Sequence, residues 1–323
     1  MKALITAPYN DAGLHILKEY FDTLHYHSWK MKNRAFRPDE LIEMLQNEEY
    51  DVFITEHDEV DKSVIDACPT LKVIGVCRGT PSNVDVSYAK QRNIKVLNTP
   101  GRNAQAVAEL FIANVITFYR KTILARQWLL DEKWEKGAHT SYLEFKGNEL
   151  AGKTVGMVGF GAVGQHIAKI LESFPAKVIY YDPYYKDSNG RFSSVSLEDV
   201  FEKSDIVTIN LPANESTKEM IDRHLIDRMK SEALFVNMSR AMVVKTPDLI
   251  EALQQDEICG AVLDVFDHEP PGQNDYTLIN HPNVLATPHI AGATHEVEDH
   301  HVEIMNTQIT TWIKENYERI SNH

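Results

Sequence analysis

Cysteine is scarce in this chain: 323 residues hold three, Cys68, Cys77 and Cys259, scattered without C-x-x-C spacing. That pattern excludes a disulfide framework and the usual zinc-ligand arrangement, so no metal site is expected, and a reducing cytoplasm suits it. Long apolar runs are missing too, none approaching the roughly 18 residues that a membrane span needs. The N-terminal MKALITAPYN lacks the layout of a signal peptide and reads as a first strand. Positive charge is short, 33 Lys and Arg against 47 Asp and Glu for a net −14, which argues against a broad surface for nucleic acid. A few local arginines could still hold a small anion inside so acidic a protein. Internal repeats and low-complexity tracts are absent. What remains is a globular composition, 43% hydrophobic and 25% charged, at a length that accommodates two domains.

Apolar β-rich runs alternate with helical patterns over the first 98 residues or so. Strands are expected at 2–7, 51–55, 71–76 and 94–97, and helices at 11–21, 38–46 and 62–68. Such alternation implies a parallel sheet covered by helices. The loop RGTPSNVD, residues 78–85, directly follows a strand, where α/β sheets bind ligands. Thr99-Pro100-Gly101 then looks like a crossing between domains. Residues 105–130 read as one long helical region, and Tyr119, Trp128, Trp134 and Tyr142 give the stretch to 148 many large apolar groups. These either pack on the following domain or form a homodimer surface, and the dimer through 105–148 is the favoured reading.

One stretch organises the second half: KTVGMVGFGAVGQHIAKILESFPAKVIYYD, residues 153–182. A buried strand, 154–158, leads into Gly159, Gly161 and Gly164, spaced G-x-G-x-x-G. A helical stripe of Val163, Ile167, Ile170, Leu171 and Phe174 follows, then a strand at 177–181 that ends on Asp182. The first glycine permits a tight turn, the second lets backbone approach a pyrophosphate, and the third lets helix pack on strand. The helix N-terminus turns N–H groups toward the phosphates, and an acid at the second strand's end can bond ribose hydroxyls. The combination is that of a dinucleotide site.

Further strands are expected at 206–211, 233–238, 261–266 and 283–287, with helices at 197–201, 218–229, 247–253 and 302–317. In a parallel sheet the carboxyl ends of all these strands share one edge beside the dinucleotide. Standing there are Asp182, Asn210-Leu211-Pro212, Ser239-Arg240, the run from Asp264 to Glu269, and His289. The histidines of HEVEDHH, residues 295–301, suggest a metal only superficially, because His295 and His300 are five apart and share no helix face. That run reads as a solvated face.

NMSRAMVV, LDVFDHEP and TPHIAGAT, in that order after the glycine turn, resemble the signatures of the D-isomer-specific 2-hydroxyacid dehydrogenases. The likeness extends from LKVIGVCRG through NTPGRNAQAVAEL, and its nearest branch looks like the D-3-phosphoglycerate dehydrogenases without their regulatory domain. It implies an α/β fold of two doubly wound parallel-sheet domains. A Rossmann NAD-binding domain, residues 100–291, would be inserted in a flavodoxin-like substrate domain, residues 1–99 and 292–323. Hinges would then lie near Thr99-Pro100-Gly101 and Ala291-Gly292.

The implied activity is interconversion of a small anionic 2-keto acid and a D-2-hydroxy acid with NAD. His289 would exchange the proton, Glu269 would orient its ring, and Arg240 would grip the carboxylate and carbonyl. Backbone around Gly79 and Thr80 would hold the substrate carboxylate. Asp264 would contact the nicotinamide amide. Ala162, Val163, Asn210, Leu211, Pro212, Thr217, Met238, Ser239 and His289 would line the cofactor.

The chain departs from the family at Ala241, where glycine is usual, and at Arg78, where many members have a small residue. Arg78 either reads a second anionic or polar group on the substrate, such as a phosphate or sugar-acid hydroxyls, or forms a structural ion pair. Asp182 repels a 2′-phosphate, and Pro183-Tyr184-Tyr185 supplies no arginine to offset it, so NAD is expected over NADP. A nucleotide-sensing protein resembling the corepressors of this fold is the competing reading. Arg240, Glu269 and His289 together favour an enzyme, and formate oxidation is disfavoured by the acid at Glu269.

Overall fold

Runs of β-branched and aliphatic residues too short for helices become the buried strands of two parallel sheets. The computed structural model describes residues 1–135, 137–186 and 189–318, so the end of the segment 292–323 lies outside the described part. The chain folds as two units, one of Met1–Asn103 with the segment from Thr294 onward, the other of Ala104–Ala293.

In the first unit, β1 (Lys2–Ile5), β2 (Thr23–Tyr26), β3 (Val52–Thr55), β4 (Val73–Val76) and β5 (Lys95–Asn98) form a sheet of order β2-β1-β3-β4-β5. Every pairing is parallel, and the order is flavodoxin-like. Alternation along the strands sends Leu4, Phe53 and Ile74 to one core, with Leu41 and Leu45 of the helix Pro38–Gln46. Ala3, Ile5, Val52, Ile54 and Val73 face a second core, completed by Leu17 and by Val302, Met305 and Ile309 of the helix Glu296–Ile313.

The second unit begins with the helix Ala104–Tyr119, whose inner face (Ala108, Phe111, Val115) packs into the core beneath the sheet. Seven strands follow: β6 (Thr154–Val158), β7 (Lys177–Tyr181), β8 (Ser193–Ser194), β9 (Ile206–Ile209), β10 (Leu234–Asn237), β11 (Gly260–Leu263) and β12 (Val284–Ala286). Their order is β12-β11-β10-β9-β6-β7-β8, parallel throughout, with the direction of winding reversing between β6 and β9. This is the doubly wound Rossmann arrangement.

Several elements differ from expectation. Strand β2 carries no apolar alternation to reveal it, since all four residues are only half-buried at the sheet edge. The helical region 105–130 is broken: Lys121 adopts a left-handed backbone (φ 50°) and caps a separate helix, Thr122–Leu130. Within the stretch expected to form a helix at 218–229, Ile221 instead bridges to Val244, leaving only Arg223–Ile226 helical.

The reading of HEVEDHH as a solvated face is corrected at His301, which is fully buried. Its Nε2–H donates to the Pro8 carbonyl at 2.7 Å, which leaves Nδ1 to accept from the Arg102 guanidinium at 3.0 Å. Arg102 also pairs with buried Glu56 at 2.5 Å, whose other oxygen accepts from the Trp29 indole at 3.2 Å. Burial pushes Glu56 up, but the hydrogen bond and charge of Arg102 carry it below the usual carboxylate range. Burial pushes the His301 pKa down, against the Pro8 carbonyl and Glu56, while Arg102 adds to the lowering.

Neutral His301 is therefore the folded form, whereas the unfolded chain takes up a proton below about pH 6.5. The stability this contributes is full above that value and is lost as pH falls toward the depressed folded pKa. The urea midpoint of the wild type is expected to drop between about pH 7.5 and pH 5.5. His301→Gln, which offers a similar donor and acceptor but cannot titrate, should show a shallower drop.

Candidate active site

The glycine turn sits where the winding reverses, at the end of β6. Gly159 has φ 92°, and a Cβ there would stand 2.7 Å from the Asn210 carbonyl oxygen on the neighbouring β9 connection. Gly164 faces the same turn from the helix Ala162–Leu171, where a Cβ would lie 2.8 Å from the Gly159 carbonyl oxygen. At Gly161 a Cβ would meet nothing within 4 Å. This is the open backbone a pyrophosphate needs, at a helix start whose first N–H groups have no intrahelical acceptors.

Asp182 follows β7. Its Oδ2 accepts from the Phe160 N–H at 2.8 Å, and its Oδ1 from the N–H groups of Tyr184 and Tyr185 at 2.8 and 3.0 Å. A carboxylate offers about four acceptor positions, so roughly one remains on Oδ2 for a ribose hydroxyl. The acid therefore ties the glycine turn to the end of β7 as well as offering itself to the nucleotide.

The other expected cofactor residues are distributed as follows. Asn210, Leu211 and Pro212 run out from β9, with Asn210 N–H bonded to the Val158 carbonyl at 2.8 Å. Thr217 is buried and its hydroxyl closes the turn below them, donating to the Pro212 carbonyl at 2.7 Å. Met238 is buried under the edge, while Ser239 bonds the Asn237 side chain through its N–H and its hydroxyl. Ala162 and Val163 open the helix after Gly161.

Arg240, Glu269 and His289 rise from three adjacent strands. Register aligns Asn237 of β10 with Leu263 of β11 and Ala286 of β12. The ladder continues one step past the strands, with Asp264 N–H on the Asn237 carbonyl and Thr287 N–H on the Leu263 carbonyl. Arg240 sits on a turn held by Asn237, whose side-chain amide donates to the Arg240 backbone carbonyl at 3.0 Å. Ala241 opens the short 3-10 helix Ala241–Val243, a conformation that accepts a Cβ without strain. The Arg240 guanidinium is exposed and bonds the Ser239 carbonyl at 2.6 Å.

His289 has a left-handed backbone (φ 52°) and meets Glu269 through Nδ1 and Oε2 at 2.5 Å. Glu269 Oε1 accepts from the Phe266 N–H at 3.3 Å. Asp264 is completely buried beneath the histidine: it accepts from the Thr287 hydroxyl at 2.6 Å and from the N–H groups of Ile290 and Ala291 at 2.9 and 2.8 Å. Those three bonds fix the turn that presents His289. Neither Asn237 nor Asp275, which anchors the Glu269 loop from the helix Asp275–Ile279, was singled out from sequence. A carboxylate just after PPGQN, where a helix begins, was the available signal.

In the first unit, Arg78 and exposed Gly79 and Thr80 leave the end of β4, and Asn98 of β5 holds the Gly79 carbonyl at 2.6 Å. His57 stands at the end of neighbouring β3. Its pKa is pushed down, first by burial and then by Arg78 and Arg102, against the pull of Glu56 and Asp58. Among the described residues no cluster of His, Cys, Asp and Glu could hold a metal ion, and no helix is long and apolar enough to cross a membrane.

A Rossmann sheet with an open glycine turn, whose carboxyl edge carries a histidine–carboxylate pair and, at the end of the adjacent strand, an arginine, fits a nicotinamide-dependent oxidoreductase. Residues 112–291 match the family model described as D-isomer specific 2-hydroxyacid dehydrogenase, NAD binding domain. The chain is 54% identical over 312 residues to the Bacillus subtilis (strain 168) protein named "Putative 2-hydroxyacid dehydrogenase YoaD", covering 97% of this chain and 91% of that one. It is 37% identical over 262 residues to the hydroxypyruvate reductase of Thermotoga maritima, covering 80% and 83%.

A solved structure of the D-lactate dehydrogenase of Aquifex aeolicus, complexed with NAD and lactic acid, superposes with TM-score 0.74. It covers 100% of this chain and 98% of that one at 21% identity, a likeness of fold. The chain belongs to the D-isomer-specific 2-hydroxyacid dehydrogenase family. It is an NAD-dependent oxidoreductase acting on a small 2-hydroxy or 2-keto acid.

The glycines allow a paired test. Gly159→Ala should destabilise the fold by about 1–3 kcal/mol through its left-handed backbone and the Asn210 carbonyl. Gly161→Ala should leave the melting temperature nearly unchanged, yet weaken NADH by about tenfold in a fluorescence titration. Equal NADH affinity in Gly161→Ala and wild type would contradict the assigned phosphate position.

Proposed function

We propose that the enzyme reduces a short 2-keto acid to the D-2-hydroxy acid, with His289 as acid/base, Glu269 as its orienting partner and Arg240 as a substrate ligand. The observation that carries this reading is the 2.5 Å contact between His289 Nδ1 and Glu269, which follow the fourth and third strands along from the glycine turn. A carboxylate oxygen only accepts, so Nδ1 carries the hydrogen and Nε2 is left for substrate. The imidazolium gives its Nε2 proton to the carbonyl oxygen during reduction and recovers it in the reverse direction.

NADH, when bound, supplies the hydride to the carbonyl carbon. Arg240 presents a planar fork suited to the carboxylate and carbonyl oxygens, and its positive charge offsets the developing alkoxide. The Met1–Asn103 unit serves as the substrate domain: N–H groups around Gly79 and Thr80 hold the substrate carboxylate, and Arg78 reads the group beyond it. A likeness to phosphoglycerate dehydrogenases and to a relative named hydroxypyruvate reductase puts three-carbon acids first, phosphorylated or not, with sugar acids next.

Helices Thr122–Leu130 and Ala138–Glu144 leave Leu124, Leu130, Tyr142 and Leu143 at least half exposed, as is Trp134 in the connection between them. That apolar patch supports a homodimer through residues 105–148. The free cysteines Cys68, Cys77 and Cys259 fit a cytoplasmic protein.

Turnover is read from NADH absorbance across glyoxylate, pyruvate, hydroxypyruvate, 3-phosphohydroxypyruvate, 2-ketoglutarate and sugar-derived keto acids. Tight NADH binding without turnover on any of them would instead favour a nucleotide sensor. His289→Gln is expected to lower kcat by about 10²–10⁴-fold while NADH still binds. Arg78→Ala should cost more on the phosphorylated or hydroxylated acid than on pyruvate, and an equal loss on both would sink the role given to Arg78. Because Asp182 faces the ribose, KM should be lower for NADH than for NADPH.

A further inference from the structure

We propose that Asp275 is a positioning residue for the acid/base pair, a buried carboxylate that holds the Glu269 loop from both ends; this rests on the roles given above to Glu269 and His289. Asp275 is 2% exposed at the start of the helix Asp275–Ile279. Its Oδ1 accepts from the Asp267 N–H at 3.1 Å, two residues before Glu269. Its Oδ2 accepts from the Gly272 N–H at 2.8 Å, three residues after it, and from His268 Nδ1 at 3.1 Å. The backbone closes the same loop, with Asp275 N–H on the Gly272 carbonyl at 3.1 Å.

One side chain thus satisfies donors on both flanks of Glu269. Among the described residues the Glu269 carboxylate makes two hydrogen bonds, one at 3.3 Å from the Phe266 N–H and one at 2.5 Å with His289. Its placement therefore depends on the loop more than on its own bonds. A small cavity of about 20 Å³ has Asp267 and Asp275 of this loop and Asn237 and Ala241 of the Arg240 turn among its lining residues.

An asparagine at 275 presents one acceptor oxygen and an amide nitrogen, so it can hold only one of the two backbone N–H groups, that of Asp267 or that of Gly272. Asp275→Asn should lower kcat/KM for keto-acid reduction by about tenfold to a hundredfold. NADH affinity should stay unchanged. The loss should fall on kcat, with KM for the keto acid within about twofold of the wild type.

The deciding measurement is the double mutant. If Asp275 acts through Glu269, Asp275→Asn adds little to the loss already caused by Glu269→Gln. The same fold-loss in both backgrounds, or a lowered melting temperature with kcat unchanged, overturns the proposal. Should Glu269→Gln alone leave kcat/KM as in the wild type, the acid/base reading itself fails. If Asp275→Asn does not fold, Gly272→Pro removes one of the held N–H donors and is judged by the same criteria.

Discussion

The parallel ladder of β10, β11 and β12 is the constraint on which the site depends. Parallel strands in register end together, and here the hydrogen bonding runs one step further, from Asp264 to the Asn237 carbonyl and from Thr287 to the Leu263 carbonyl. Three loops therefore start from one line of backbone. Arg240 stands three residues past its register position, His289 three past its own, and Glu269 six. A one-residue slip would turn every inward side chain outward and carry the functional groups with it. The fully buried strands, with apolar residues on both faces, make that slip costly.

Short polar side chains then convert a flat edge into a site. Asn237 holds the Arg240 turn, Asp264 holds the His289 turn, and Asp275 holds the Glu269 loop. Each is buried and bonded to backbone N–H or C=O groups that would otherwise lack partners in an apolar edge. Burial of such groups costs free energy unless every bond is made, so each turn has few alternative arrangements. Asp182 has a comparable place at the nucleotide end, with three backbone bonds of its own.

The central strands and the helices that cover them were legible because their signal is local: 38–46, 154–158 and 177–181 are helix and strands at the residues expected. The exposed site groups, Arg240, Glu269 and His289, were legible as strand-end residues of chemically apt types. Strand β2 was not, because an edge strand with four half-buried residues need not alternate. His301 was misread because its acidic and histidine neighbours look like a solvated face, and only the tertiary fold brings Pro8 and Arg102 to its two nitrogens. Asp275 escaped for a similar reason, since the N–H groups it serves are assembled by a loop without periodic pattern.

The left-handed backbone of His289 bears on how this protein can change over time. Few residues occupy that region at low cost, chiefly glycine, asparagine and aspartate besides histidine itself. With the acid/base role proposed for His289, a change to asparagine would leave the turn above Asp264 its three hydrogen bonds and remove the proton donor. On that reading an enzyme of this build lies one codon change from a protein that binds its dinucleotide without turning it over.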